Sequence, residues 1–452
     1  MIKIKEIIDV CNAKLLQGNI NEECLNFCQD TRIIQENDTY VAIKGESFDG
    51  NNFCIDALEK GVKTCILDRK IDIPDKYSDR TIILVEDSVK CLQDLARYKI
   101  SKFNGKVIAI TGSVGKTSTK DMVASVVSRK YKTLKTQGNN NNEIGLPLTI
   151  LKYTDEEVMI LEMGMNHFKE ISLLTNIAKP DIAVITNIGT AHIGILGSRE
   201  NILKAKLEII EGLKPNGKLI INNDNDLLHS YYEENKNENI ITIGIDNNSD
   251  YNARNIEINE DICNYEIGDN KVTLNIPTTP FIYNSLIAYV VGKELNIEDS
   301  LIIKGIKEFN LTKNRLEIKT NKKEVVIIDD TYNASFDSVK ASLEMLKLRK
   351  EKRKILVLGD ILELGDFSES IHRSIAKEVI DADIDILITV GKEINYLVDE
   401  LVSNDYQKEM YHFDRYDETY ELLNQILKKG DVILLKASHS INLTKVVDYL
   451  MK

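Results

Sequence analysis

The stretch Val107-Ile108-Ala109-Ile110-Thr111-Gly112-Ser113-Val114-Gly115-Lys116-Thr117-Ser118, with the helical pattern KDMVASVVSRKY (120–131) after it, decides the fold. An apolar run the length of a buried strand enters a turn containing two glycines and leaves through a helix. In that setting successive backbone N–H groups and the helix N-terminus point at phosphate oxygens. Lys116 reaches toward the terminal phosphates, and the Thr117 hydroxyl is placed for a Mg²⁺ ion. The loop is a shortened one, because Ile110 stands where a longer phosphate loop has its first glycine. Strand, loop and helix together make Thr111 to Ser118 a nucleotide-binding loop rather than a turn carrying a surface lysine.

Outward from this loop the chain keeps one rhythm. VMILEMG 158–164, DIAVITNIG 181–189 and GKLIINNDND 217–226 are buried strands, each leading into a loop or helix. Near-continuous Val/Ile/Leu strands alternating with helices imply a mostly parallel sheet covered on both faces. The polar stretch 235–270 reads as β-hairpins at the edge of this region. Strand–helix alternation restarts after NLTKNRLEI 310–318, with VVIIDDTYN 325–333, KILVLGDILELG 354–365, DILITVG 385–391 and DVILLKAS 431–438. Toward the N-terminus, TYVAI 39–43, TCILD 64–68 and TIILVED 81–87 alternate with helical stretches such as CIDALEKGV 54–62. The expected class is therefore α/β in three domains, 1–103, 104–312 and 313–452, as a chain of 452 residues exceeds one ordinary core.

Composition narrows the function classes. With 43% hydrophobic and 29% charged residues the chain is a globular protein, and no apolar run has the length of a membrane span. MIKIKEIIDVCNAKLL reads as a strand and an amphipathic helix rather than an export signal, so a cytoplasmic location is expected. The seven cysteines are expected as reduced thiols, with Cys24 and Cys28 able to share a helix face but lacking partners for a metal site. A net charge of −13 argues against nucleic acid as a partner. An anionic ligand must then be held by local donors and cations.

Polar residues follow the strands at the edge where ligands of an open parallel sheet bind. Glu162 ends VMILE, while Asn187 and His192 follow DIAVIT. Read alone, Glu162 suits a helix start, His192 a satisfied loop position and Lys206 a solvated helix face. Beside a phosphate loop, Glu162 with Thr117 forms a sound oxygen pair for Mg²⁺.

The order TGSVGKTS 111–118, TQGNNNNEIGLP 136–147, LEMG 161–164, TNIGTAHIGILGS 186–198, KAKLEI 204–209, NR 314–315, DDTYNAS 329–335 and LGDILELG 358–365 resembles the Mur ligases. The resemblance runs from about residue 28 to the C-terminus. It implies a central P-loop ATPase domain between an N-terminal UDP-binding α/β domain and a C-terminal Rossmann-like domain. It also implies ATP and two Mg²⁺ ions. TQGNNNNEIGLP, DDTYNAS and LGDILELG followed by His372 are similar to the branch that adds D-alanyl-D-alanine to a UDP-N-acetylmuramoyl-tripeptide.

By matching position, Lys116 and Thr117 would serve ATP phosphates and, with Glu162, the first Mg²⁺. His192 and Lys206 would serve the second, Lys206 after carbamylation by CO₂. Arg315 would touch phosphate, Asp330 the ribose, and Asn284 would lie near adenine. Thr31, Arg32, Lys44, Gly45, Asp49 and Gly50, in DTR 30–32 and IKGESFDGNNF 43–53, resemble uridine-diphosphate-binding loops. Asn139, Asn141, Asn142 and Asn333 complete the expected substrate contacts, and a monomer without membrane insertion is expected.

Three segments depart from the family pattern. Pro280-Phe281 replaces a His-Asn pair, Ser335-Phe336 replaces Asn-Pro, and Lys436-Ala437-Ser438-His439 replaces Lys-Gly-Ser-Arg. Two other readings therefore compete: a ligase of the same chemistry joining a different acid and amine, and a non-catalytic nucleotide-binding paralogue.

Overall fold

Val107 to Ile110 are fully enclosed aliphatic residues, and β-branched side chains suit a strand buried on both faces. They form the strand Lys106–Thr111, and the helix Lys116–Val127 begins directly after the glycine turn. The computed structural model describes residues 1–350 and 352–452. The chain divides into two compact units, one made of residues 1–109, 131–183 and 208–217, the other of 110–130, 184–207 and 218–452.

In the first unit, five strands lie in the order Lys14–Gln17, Thr81–Leu84, Thr64–Leu67, Thr39–Val41 and Phe27–Cys28. The first pair is antiparallel and the others are parallel. Cores form on both sides: one gathers Val41, Ile66, Ile83 and Leu92, the other Tyr40, Cys65, Leu67 and Ile82. This alternation is the period-two consequence of a strand with two apolar faces. The helix Ser88–Ser101 starts where the Asp87 carboxylate accepts the Lys90 N–H. A parallel pair, Thr133–Lys135 with Val158–Glu162, carries Glu162 at its end. Cys24 and Cys28 lie on the short strands Glu23–Cys24 and Phe27–Cys28, not on a helix. Strand pairing decides this: Cys24 lies opposite Ile2 and Cys28 opposite Tyr40. All seven cysteines are free thiols.

In the second unit, the helices Thr279–Glu294 and Asp299–Lys307 pack on the helix Lys116–Val127. Lys218–Asn222, Ile240–Gly244 and Tyr251–Ile258 run parallel. The antiparallel strands Cys263–Ile267 and Asn270–Leu274 continue to the sheet edge as the expected hairpins. A separate six-stranded sheet has the order Glu317–Thr320, Val326–Asp330, Val432–Lys436, Lys354–Gly359, Ile386–Val390 and Glu409–Phe413. Only its first pair is antiparallel. No described helix is long and apolar enough to cross a membrane.

The position of the phosphate-loop helix depends on close helix contact. A Cβ on Gly305 would fall 2.6 Å from the Val126 Cα, and Ser125 Oγ donates to the Gly305 carbonyl at 2.7 Å. Gly305→Ala is therefore expected to force two backbones apart, at a cost of about 1–3 kcal/mol. A lower urea midpoint with unchanged slope would be the readout.

Candidate functional site

The second unit holds the phosphate loop, whose shape is set by residues outside it. Gly112 has φ +148° and Gly115 φ +83°, conformations that L side chains rarely adopt. A Cβ on Gly112 would lie 1.8 Å from Thr186 Oγ1. The Ser113 and Val114 N–H groups donate to the Asn187 carbonyl and Asn187 Oδ1, at 3.0 and 2.9 Å. Thr186 Oγ1 donates to the Val114 carbonyl at 2.7 Å, and the Gly189 N–H donates to Ser113 Oγ at 2.9 Å. Lys116 folds back so that Nζ donates to the Gly112 carbonyl at 2.7 Å. With Thr111 ending the strand and Ser118 buried in the helix's first turn, the expected loop residues are contiguous around one turn.

Thr117 is buried, and its hydroxyl oxygen accepts a hydrogen bond from Arg315 Nη2 at 3.2 Å. The Arg315 guanidinium lies 4.0 Å over the Tyr332 ring, a cation–π arrangement that fixes its plane. Asn284 Oδ1 accepts from Thr119 Oγ1 at 2.9 Å, which places Asn284 behind the loop. Phe281 is buried and packs with Phe309, so this departure from the family pattern is a core side chain.

Lys206, on the helix Arg199–Leu207, is only 1% exposed, against the solvated face its sequence suggests. Burial drives its amine well below the usual lysine range, and the neighbouring Lys116 charge pushes the same way. His192 adopts φ +65°, and its Nδ1 lies 2.9 Å from Glu363 Oε2. The oxygen sits off the ring N–H direction, so the contact is electrostatic rather than an aligned hydrogen bond. His192 holds the Glu363 carboxyl below its usual range.

Asp330 is engaged. Its Oδ2 accepts from Ser342 Oγ at 2.6 Å and from Lys436 Nζ at 2.5 Å, while Oδ1 has a long contact of 3.3 Å from the Leu316 N–H. Lys436 also donates to the Asn333 carbonyl at 3.0 Å. Burial lowers the Lys436 amine and the Asp330 charge opposes that shift. The Asn333 side chain is exposed.

The first unit holds the remaining expected residues. Glu162 is buried at its strand end, with Oε1 accepting from Asn141 Nδ2 at 2.8 Å. Asn142 Oδ1 accepts from the Gly145 N–H at 2.8 Å, capping the next helix, and Asn139 is exposed. Lys44 and Asp49 pair across a tight turn in which the Gly45 N–H donates to the Phe48 carbonyl. A Cβ on Gly50 would sit 2.5 Å from the Ile43 nitrogen. Arg32, 87% exposed, forms a fork with Asp30, while the Thr31 carbonyl accepts from Lys60.

Several residues absent from the expected set shape these loops. Thr186 and Asn187 brace the phosphate loop, and Glu363 faces His192. His372 Nε2 accepts from the Ile361 N–H at 3.1 Å, and Nδ1 lies 2.8 Å from the Ser368 carbonyl, which requires the neutral ring protonated on Nδ1. The sequence signals were positional: Asn187 follows a strand, and Glu363 lies in LGDILELG. Their partners are far away in the chain.

The Mur ligase middle domain matches residues 110–292, and the Mur ligase glutamate ligase domain matches residues 314–439. The UDP-N-acetylmuramoyl-tripeptide–D-alanyl-D-alanine ligase of Bacillus subtilis is 35% identical over 100% of this chain and 99% of its own. A crystal structure of MurF from Acinetobacter baumannii superposes with a TM-score of 0.90 at 28% identity, covering 100% of this chain and 98% of that one. MurF ligase from Thermotoga maritima, solved in complex with ADP, gives a TM-score of 0.81 at 31% identity, covering 94% and 97%. These full-length matches carry the three-domain α/β Mur ligase fold.

Burial holds His372 below its ordinary value of 6.5. Its contribution to stability is thus complete above about pH 6.5 and is lost as pH falls toward the lower folded value. Between pH 7 and 5 the wild-type melting temperature is expected to fall more steeply than that of His372→Gln. Parallel slopes in thermal melts would refute this.

Proposed function

This chain belongs to the Mur ligase family, and on that premise we propose that it joins D-alanyl-D-alanine to UDP-N-acetylmuramoyl-tripeptide, with ATP cleaved to ADP and phosphate, in peptidoglycan precursor synthesis. The observation carrying this reading is similarity over the whole chain to an enzyme bearing that activity in its name. In this reading residues 1–103 bind the uridylated substrate, 104–312 bind ATP, and 313–452 bring the dipeptide and close the site, in a cytoplasmic monomer.

Condensing a carboxylate with an amine in water is uphill, so the acid must first be activated. The tripeptide carboxylate attacks the γ-phosphorus, the bond to the β-phosphate oxygen breaks, and an acyl phosphate results. The D-alanyl-D-alanine amine then adds to the acyl carbon, and inorganic phosphate leaves with the acyl–oxygen electron pair while the amine loses a proton. Lys116 and the loop N–H groups other than those of Ser113 and Val114, which Asn187 holds, oppose the charge that builds on the phosphoryl oxygens. Arg315, held flat on Tyr332, supplies a second fixed cation near the Thr117 hydroxyl. Asp330 Oδ1 retains acceptor capacity for a ribose hydroxyl, while Oδ2 is occupied by Lys436. Asn284 stands behind the loop toward adenine. Thr31, Arg32, Lys44, Gly45, Asp49 and Gly50 contact the uridine diphosphate, and Asn139, Asn141, Asn142 and Asn333 the peptide ends.

The donors fit Mg²⁺. Glu162 is a buried carboxylate, and Thr117 offers a hydroxyl oxygen. Thr117 and Glu162 would hold one ion, and His192 and carbamylated Lys206 would hold a second; so held, Mg²⁺ would supply charge screening between carboxylate and triphosphate.

The burial of Lys206 supports its carbamylation. Desolvation and the neighbouring Lys116 charge lower its amine and so favour the uncharged form, the nucleophile that attacks CO₂. A nitrogen–carbon bond forms, a proton leaves, and the resulting carbamate presents oxygen beside the Lys116 charge.

Purified protein is expected to form ADP only when UDP-N-acetylmuramoyl-tripeptide and D-alanyl-D-alanine are both present. Turnover with another acid–amine pair alone would replace this reading, and absence of turnover with every pair would favour a non-catalytic paralogue. ¹³CO₂ is expected to give a carbamate ¹³C signal that Lys206→Arg removes, with Lys206→Ala lowering kcat by about 10²-fold or more. Unmodified amine density with nucleotide and Mg²⁺ bound would overturn the carbamate.

A further inference from the structure

The loop carrying His192 is gripped from the C-terminal sheet at two places. Near Gly189 the grip is side chain on backbone: a Cβ there would fall 2.1 Å from Asp337 Oδ2, and the Thr190 N–H points to the same oxygen at 3.4 Å. Near Gly194 it is backbone on backbone. A Cβ on Gly194 would lie 2.6 Å from both the Gly365 nitrogen and the Leu364 carbonyl carbon, and 2.7 Å from the Glu363 oxygen. The Gly194 N–H donates to that oxygen at 3.2 Å, and a Cβ on Gly365 would stand 3.1 Å from the Gly194 Cα.

Between these grips lies a side-chain contact that reaches a residue of the ligase site, Glu363 Oε2 at 2.9 Å from His192 Nδ1. Both residues hold φ +65°, a left-handed conformation that costs a non-glycine residue energy and persists only where its surroundings impose it. The loop behind Glu363 is itself fixed. Ile361 N–H is held by His372, Leu362 N–H by Ser438 Oγ at 2.9 Å, and Leu364 is buried.

We propose that Glu363 is a positioning residue for His192, delivered to it through a glycine seam made by Gly194 and Gly365. The proposal rests on the reading of His192 as a residue of the ligase site. A histidine that serves a ligand through one ring nitrogen is oriented by whatever holds the other. With Glu363 on Nδ1, Nε2 is the nitrogen left to face the site. Glu363 lies in the loop after the strand Lys354–Gly359, so the ring is set only when that loop is seated. Seating needs bare glycine on both sides, because any Cβ meets backbone. Gly194 has no positive φ, so alanine there is unstrained by itself and clashes only in the seated arrangement.

Three variants of the full-length protein test this. In ligand-free protein, Glu363→Gln is expected to shift the ¹⁵N signal of His192 Nδ1 while the other five of the six histidines stay put. The same variant is expected to keep the melting temperature and the KM for ATP, yet lose about 10–100-fold in kcat, with Glu363→Asp recovering part of the loss. Gly194→Ala is expected to speed amide hydrogen exchange in 190–196 and 361–366, read by mass spectrometry, and leave the helix Lys116–Val127 protected. Wild-type kcat and an unmoved His192 signal in Glu363→Gln would overturn the positioning role. Unchanged exchange in Gly194→Ala would overturn the seam. Wild type lacking turnover with the tripeptide and dipeptide would instead defeat the proposed function, and the exchange and ¹⁵N arms would still decide this proposal.

Discussion

A protein of net charge −13 that is to hold a triphosphate depends on a single local constraint, the open turn of Gly112 to Gly115. That turn cannot hold itself open, because its glycines are in conformations that an unbraced chain leaves freely. Its bracing comes from the end of the strand Ile182–Ile185, where Asn187 takes up the Ser113 and Val114 N–H groups and Thr186 Oγ1 donates to the Val114 carbonyl. The loop that continues from Asn187 to His192 and Gly194 therefore starts from the phosphate loop and ends against the C-terminal sheet. Phosphate geometry and the seating of the 361–365 loop share one short stretch of chain.

Two buried lysines in the same unit show how partner geometry decides an amine's chemistry. Lys436 and Lys206 are both almost without exposure. Lys436 has the Asp330 carboxylate and the Asn333 carbonyl, so its charge is opposed where it stands and the amine acts as a strut between two strand ends. Lys206 is desolvated and faces a like charge, Lys116, and both lower its amine. Lys436 ties the Asp330 carboxylate in place.

What could be read from the sequence follows the range of the interactions. The phosphate loop, Glu162 at a strand end and the hairpins before the helix Thr279–Glu294 are local patterns, and the structure has them. Lys206 read alone as solvated, because KAKLEI offers no local sign that its neighbours Ile202, Ala205 and Ile209 lie on an inward side. Cys24 and Cys28 fit helix spacing as well as strand spacing, and pairing of Cys24 with Ile2, a contact across more than twenty residues, decided for the strand. Glu363 and Gly194 have no meaning apart from each other. Their contact is set by tertiary docking, which leaves no periodicity in either segment.

The departures from the family pattern become intelligible in the same terms. Ser335 replaces an asparagine, and its Oγ caps the helix Phe336–Lys347 by accepting the Ser338 N–H while the Ser338 hydroxyl answers the Ser335 N–H. Serine and asparagine are near-equal caps, so the helix that carries Asp337 toward Gly189 keeps its start. In Lys436-Ala437-Ser438-His439, the two positions that match the pattern are the ones with structural partners, Lys436 on Asp330 and Ser438 on the Leu362 N–H. Ala437 adds a methyl where the pattern has glycine, and it faces Gly359, where a Cβ would come within 2.7 Å of it. His439 is exposed, its ring 6.2 Å from the Tyr332 ring whose other contact is Arg315. Ser335, Lys436 and Ser438 thus have partners that fix backbone, while His439 is an exposed side chain beside the Arg315–Tyr332 stack.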